Sequence, residues 1–183
     1  MLNEKVICAG FGGQGVMSMG QLMTYAGMLE SKEVSWLPSY GPEMRGGTAN
    51  CNVIISEKPI GSPVITNDAT TAIIMNLPSM DKFEADVKPG GSLFINSSLI
   101  PKKVSRDDVT AYYIPANEIA NELGNFRVAN MVMLGAYLEV FKPVEVKSIL
   151  EAFKKVFGEG KAHLVPLNES ALNKGAECIR NAK

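Results

Sequence analysis

The sequence predicts an α/β fold of three layers, a mixed but mainly parallel sheet with helices on both faces. Short apolar runs alternate along the chain with longer segments of helical pattern. The run Lys5-Val6-Ile7-Cys8-Ala9 leads directly into Gly10-Phe11-Gly12-Gly13-Gln14-Gly15, the G-x-G-x-x-G spacing that follows a strand and opens a helix. That unit gives the N-terminus a Rossmann-like strand, glycine loop and helix. The last third of the chain is mostly helical in pattern, which closes the layers around the sheet. A length of 183 residues suits a single domain covering 1–183.

The elements follow in order. A first strand is expected at 4–9 and a helix at 14–31, where Val16, Met17, Met19, Leu22, Met23, Tyr25, Ala26, Met28 and Leu29 cover most of the circumference. Strands are expected at 33–37, 48–56 and 71–76. Pro78 suits the first turn of a helix at 78–87, and Gly90-Gly91 precedes a strand at 91–96. A strand at 109–114 comes next, then helices at 115–123, 127–141, 143–157 and 168–181, with Pro143 in a first turn and Asn168 as an N-cap. The segment Arg127 to Leu138 is apolar on nearly every face, so it is buried all round, either in the core or against another chain. The helix at 14–31 shares that character, and a large subunit interface is the alternative for both.

Composition narrows the functional classes. The chain is 46% apolar and 20% charged with a net charge of −1, and no block of like charge points to nucleic acid or an anionic membrane. Its most apolar uncharged stretch, 128–138, is well short of the roughly 20 residues of a membrane span. The first residues pass into a strand without a basic and apolar leader, so a cytoplasmic location is expected. Cys8, Cys51 and Cys178 lie far apart with one histidine, His163, so no metal centre of ordinary ligand spacing is expected. The thiols read as small buried hydrophobes, and His163 as structural.

The glycine loop is an anion site on physical grounds, because free backbone N–H groups and the positive end of a helix converge there. A dinucleotide fingerprint also needs a carboxylate about 20 residues on, at the end of the second strand, to hold ribose hydroxyls. Here that strand ends in Leu37-Pro38-Ser39. A stand-alone NAD(P)-dependent reductase is therefore the lesser alternative. Gln14, able to donate and accept, either braces the loop or binds a ligand.

A second motif runs from Ser39 to Cys51: Ser-Tyr-Gly-Pro-Glu-Met-Arg-Gly-Gly-Thr-Ala-Asn-Cys. In extended backbone Glu43 and Arg45 point to one side, and Gly46-Gly47 leave bare main chain beside a guanidinium fork suited to anions or carboxylates. Together with Gly-Phe-Gly-Gly-Gln-Gly-Val at 10–16, this motif resembles the gamma subunit of 2-oxoacid:ferredoxin oxidoreductases. Pro89-Gly90-Gly91, Pro115-Ala116, Asn130-Met131 and Asn168 extend the resemblance over almost the whole chain. The version at 43–51 is most similar to 2-oxoglutarate enzymes, and an indolepyruvate oxidoreductase subunit is a further alternative.

The resemblance implies a complex that oxidatively decarboxylates a 2-oxoacid, transfers the acyl group to coenzyme A and reduces ferredoxin or another low-potential acceptor. It places thiamine diphosphate, magnesium and iron-sulfur clusters on alpha, beta and delta-type subunits, with no cofactor and no catalytic residue in this chain. Gly12, Gly13, Gln14, Gly15, Arg45, Gly46 and Gly47 are then candidates to face coenzyme A or a partner subunit. The isolated chain is a possible homodimer through its apolar helices.

Overall fold

The structure, a computed structural model, describes residues 2–39 and 48–182. Its elements are β1 (Asn3–Phe11), α1 (Val16–Leu29), β2 (Glu33–Ser39), β3 (Thr48–Ser56), β4 (Ala69–Ile74), α2 (Leu77–Phe83), β5 (Val87–Asn96) and β6 (Thr110–Ile114). Four helices follow, α3 (Ala116–Glu122), α4 (Ala129–Phe141), α5 (Val146–Phe157) and α6 (Val165–Asn181). The strands form one sheet in the order β2-β3-β1-β4-β5-β6. β1, β4, β5 and β6 are parallel, and β3 is antiparallel to both of its neighbours. Only β3 is therefore reversed, and the carboxyl ends of the other five strands share one edge. This is the mainly parallel α/β sheet that the sequence predicts.

Strand alternation sends successive residues to opposite faces and gives the sheet two apolar layers. Val6, Cys8, Val53, Ile73 and Phe94 face α1 and the helices after β6. Ile7, Ala9, Ala72, Ile74, Leu93 and Ile95 face the other way, under Met80 and Phe83 of α2 with Ile65 and Ile100 from the connections. The layers are unequal: five helices cover one face, and only α2 covers the other.

α4 is buried at every position from Ala129 to Leu138. The enclosure comes from this chain, because Gly135 and Gly175 let α4 and α6 cross with their backbones almost touching. A Cβ on Gly135 would overlap the Leu172 carbonyl oxygen, and one on Gly175 the Val132 carbonyl oxygen. Phe94, Tyr137 and Phe141 seal the sheet side with ring centroids 5.6–6.1 Å apart. α1 is different: its inner face is buried, while Tyr25 is 39% and Met28 57% exposed on the outside.

Several boundaries differ from expectation for local reasons. β2 runs on through Pro38 to Ser39, because an edge strand tolerates a residue without an N–H. β5 begins at Val87 and includes Gly90-Gly91, so the glycines lie within the strand rather than before it. α5 starts at Val146 with Glu145 as N-cap, leaving Pro143 in the turn beyond α4. Asn168 is not an N-cap: α6 starts at Val165 with Pro166 in its first turn, and Asn168 Nδ2 donates to the Leu164 carbonyl, 2.8 Å. No helix among the described residues is long and apolar enough to cross a membrane.

At the amino ends of the parallel strands the Glu4 carboxylate ties three elements together. Thr70 Oγ1, Thr71 Oγ1 and Tyr137 OH lie 3.0, 3.3 and 3.2 Å from Glu4 Oε2. Burial pushes the Glu4 carboxyl above its ordinary value, and the hydroxyl donors offset this only in part. Burial also pushes the Tyr137 phenol well up, with the Glu4 charge adding to it.

Two outcomes are expected. Gly135→Ala gains about 1 kcal/mol of helix propensity but forces the α4–α6 crossing apart at about 3 kcal/mol. A net loss of about 2 kcal/mol should appear in urea unfolding. Glu4 holds its proton more tightly in the folded state, so its contribution to folding is full below the ordinary value of 4.5 and is lost as pH rises through the folded value. Glu4→Gln should therefore improve relative to the natural protein as pH rises from 4.5 through the folded value; unfolding midpoints that differ by a pH-independent amount would contradict this.

Candidate functional site

The site begins where β1 ends. Gly13 and Gly15 have φ of 91° and 76°, a region that side-chain-bearing residues rarely adopt, so the turn from β1 into α1 requires glycine at both. Gly15 is the N-cap of α1 and offers no side chain, and the first turn holds no acidic residue. The first backbone bond into the helix runs from Met19 N to Gly15 O, 2.9 Å. The N–H groups of Val16, Met17 and Ser18 thus precede the helical ladder and have no side-chain cap among the described residues. They front a cavity of about 390 Å³ lined by Phe11, Gly12, Gly13, Gly15, Met17 and Ala49.

Gln14 braces this turn. Its Oε1 accepts from Phe11 N, 2.6 Å, and its Nε2 donates to the Met75 carbonyl just beyond β4, 3.3 Å. Met75 N in turn donates to Ala9 O, 2.8 Å, and extends the β1–β4 ladder into the loop. Asn130, in the first turn of α4, latches the far side: its Nδ2 donates to Gly15 O, 3.2 Å, and its Oδ1 accepts from Met131 N, 2.9 Å. Asn96 Nδ2 points at the same Met75 carbonyl, 3.4 Å, and at Asn117 Oδ1, 2.8 Å. Asn96 Oδ1 is buried with no hydrogen-bond partner among the described residues.

The topology places a crevice here. α1 leaves β1 toward one face of the sheet and α2 leaves the adjacent β4 toward the other. Ligands of open α/β sheets bind at such a switch point, beyond the carboxyl ends of the strands. A smaller space of about 120 Å³ opens there between Gly13, Gln14, Met75, Asn117, Phe126 and Arg127.

Of the residues named from sequence, Gly12, Gly13, Gln14 and Gly15 meet at this edge. Arg45, Gly46 and Gly47 lie outside the described residues, as does Glu43. The residues flanking that motif are placed: Ser39 sits opposite Asn50, and Thr48 opposite Phe11, at the glycine-loop edge. β2 ends without a carboxylate, and Glu33 is at its far end. Met75, Asn96, Asn117, Phe126 and Arg127 escaped the sequence reading because nothing local marks them. They come together only through strand order.

Cys8 and Cys51 face each other across β1 and β3, both buried. The hydrogen bond to Cys51, and then burial, push the Cys8 thiol well up, as suits packing rather than nucleophilic chemistry. Cys178 is only half-buried, and His163 is exposed in a 3₁₀ turn between α5 and α6. No metal-ligating cluster of three or more groups occurs among the described residues.

The family model for pyruvate ferredoxin/flavodoxin oxidoreductase matches residues 5–178. The chain belongs to that family. Within it, the chain is 42% identical over 178 residues to ketoisovalerate oxidoreductase subunit VorA of Methanothermobacter thermautotrophicus, a match covering 96% of this chain and 36% of that protein. It therefore spans about a third of that relative's length. It is 34% identical to the 2-oxoglutarate synthase subunit KorC of Methanocaldococcus jannaschii, covering 98% of this chain and 95% of that one. A crystal structure of the keto/oxoacid ferredoxin oxidoreductase gamma subunit from Geobacter sulfurreducens superposes with a TM-score of 0.81 at 28% identity, covering 97% and 99% of the two chains. The resemblance stated from the two glycine motifs is thus confirmed at the level of the oxidoreductase family and its gamma-type fold.

Gln14→Ala removes both ends of the brace and should cost about 1–2 kcal/mol in chemical denaturation. Amide exchange should speed up at Phe11 and Met75 before it does in β5; uniform protection along both strands would show that the brace does not hold the loop.

Proposed function

We propose that the chain is the gamma-type unit of a 2-oxoacid:ferredoxin oxidoreductase, a complex that oxidatively decarboxylates a 2-oxoacid to an acyl-coenzyme A. The observation that carries this is the uncapped N-terminus of α1 opening on a glycine-lined cavity at the switch point of the sheet. In this role the loop at Gly12, Gly13 and Gly15 approaches the diphosphate of coenzyme A or a partner's carboxylate, with Arg45, Gly46 and Gly47 joining from the neighbouring connection. Gln14 keeps the loop in shape. Thiamine diphosphate, magnesium and the iron-sulfur clusters reside on alpha, beta and delta-type partners, and electrons leave through them to ferredoxin. The chain itself is architectural and closes over coenzyme A.

The sequence at Glu43–Cys51 supports 2-oxoglutarate as substrate. The 42% identity to a ketoisovalerate subunit favours a second reading, a branched-chain 2-oxoacid. Activity of the complex purified through a tag on this chain, compared between 2-oxoglutarate and 2-oxoisovalerate, separates them. In that complex Arg45→Ala should raise KM for coenzyme A several-fold or weaken retention of the partner chains. Unchanged kinetics together with unchanged assembly would remove the role assigned to Arg45, and a tagged chain that purifies alone with bound NAD(P)H would overturn the function.

A further inference from the structure

A second cavity lies on the helical side of the glycine loop, behind Gly15 and Ser18. It measures about 400 Å³, within the range of small-molecule sites, and is bounded by the start of α1, the turn before α4, the end of α5 and the start of α6. Its wall is apolar and aromatic. Phe153 and Phe157 stand with ring centroids 4.7 Å apart, one helical turn from each other on α5. Its charge is of one sign: among the described residues Arg127 and Lys161 are the ionisable groups that line it, and no carboxylate does.

Both cations are available. Each is exposed on a 3₁₀ turn, and neither has a salt-bridge partner among the described residues, although eight ion pairs occur elsewhere. Lys161 Nζ sits 5.1 Å from the centroid of Phe157, so the positive charge lies directly beside the aromatic wall. Two amides add hydrogen-bonding capacity. Asn125 spends its Oδ1 on Arg127 N, 3.0 Å, and Asn168 its Nδ2 on Leu164 O, which leaves a donor on Asn125 and an acceptor on Asn168.

A chain of net charge −1 that gathers two unpaired cations around an aromatic pocket has the chemistry for a planar ring bearing a strong anion. We propose that this cavity binds a nucleoside phosphate, its base against Phe153 and Phe157 and its phosphate between Arg127 and Lys161. The site adjoins the glycine-lined cavity, with Gly15 and Ser18 lining both, but Arg127, Lys161, Phe153 and Phe157 line only this one of the two, so the proposal does not rest on the role proposed for that loop. The same chemistry is offered by a free nucleotide and by the nucleotide end of a larger cofactor such as coenzyme A.

The test titrates the purified full chain with AMP, adenosine, inorganic phosphate and coenzyme A by calorimetry. AMP should bind at least about tenfold more tightly than adenosine or phosphate alone. Arg127→Ala and Lys161→Ala should each weaken AMP about fivefold or more while leaving the thermal midpoint unchanged, since both sit on exposed turns. Competition by coenzyme A would assign the site to the nucleotide end of that cofactor, and its absence to a free nucleotide. No saturation by AMP below about 5 mM, equal binding of bare phosphate, or AMP binding indifferent to both substitutions would overturn the proposal. Arg45→Ala, which tests the loop, should leave AMP binding unchanged.

Discussion

The carboxyl ends of β1 and β4 must stay joined, and the rest of this edge depends on it. The parallel ladder between them does not stop at the last strand residue: Met75 continues it through its N–H to Ala9, and then presents its carbonyl to the Gln14 amide. That carbonyl is shared with Asn96 of β5, so one oxygen anchors three strands. With β1 and β4 fixed, the glycine turn can hold two left-handed glycines, Gly13 and Gly15, on either side of Gln14, and α1 can start with its first N–H groups uncapped by any side chain among the described residues. Asn130 then attaches the most deeply buried helix to the same turn. A disturbance at Met75 is therefore felt in the loop, in α4 and in the crevice between them.

The unequal layering supports this edge from behind. α4 and α6 approach through facing glycines, which allows five helices to pack over one side of a sheet only six strands wide. The other side carries the short α2 and two connections. Dense packing on one face and a thin cover on the other place the starts of α1, α4 and α6 around the loop, so its geometry is set by the thick layer. At the opposite edge, the Glu4 carboxylate links β1, β4 and α4 with hydroxyl partners and no cation among its hydrogen bonds. The same two strands are thus pinned at both ends by polar groups.

Much of the architecture was legible in the residues. All six strands and all six helices are present near their expected positions, because apolar periodicity and glycine or proline punctuation are local signals. The absence of a carboxylate after β2 was equally plain, since it concerns one strand end. The misplacements share a cause: Pro38, Pro143, Gly90 and Asn168 were read by their usual positions, whereas an edge strand, a turn, the interior of β5 and a buried first helical turn, respectively, decided their roles. The burial of α4 could be foreseen, but not what buries it, because the matching glycine lies forty residues away in α6. Within the site, the glycines and Gln14 were visible as a motif. Met75, Asn96, Asn117 and Arg127 were not, since strand order brings them together and no spacing encodes it.

Pro38 matters beyond the strand it sits in. An open sheet invites another chain to add a strand along its border, and β2 is such a border, with an interruption in its row of donors at Pro38. Three residues, Leu37, Pro38 and Ser39, are exposed there. Continuation of the sheet into a neighbour is disfavoured at Pro38, which leaves the β6 edge, the helix faces and the loops for contacts with other polypeptides. A neighbour meeting the unit at the β2 border then does so through side chains rather than through a shared ladder of backbone bonds.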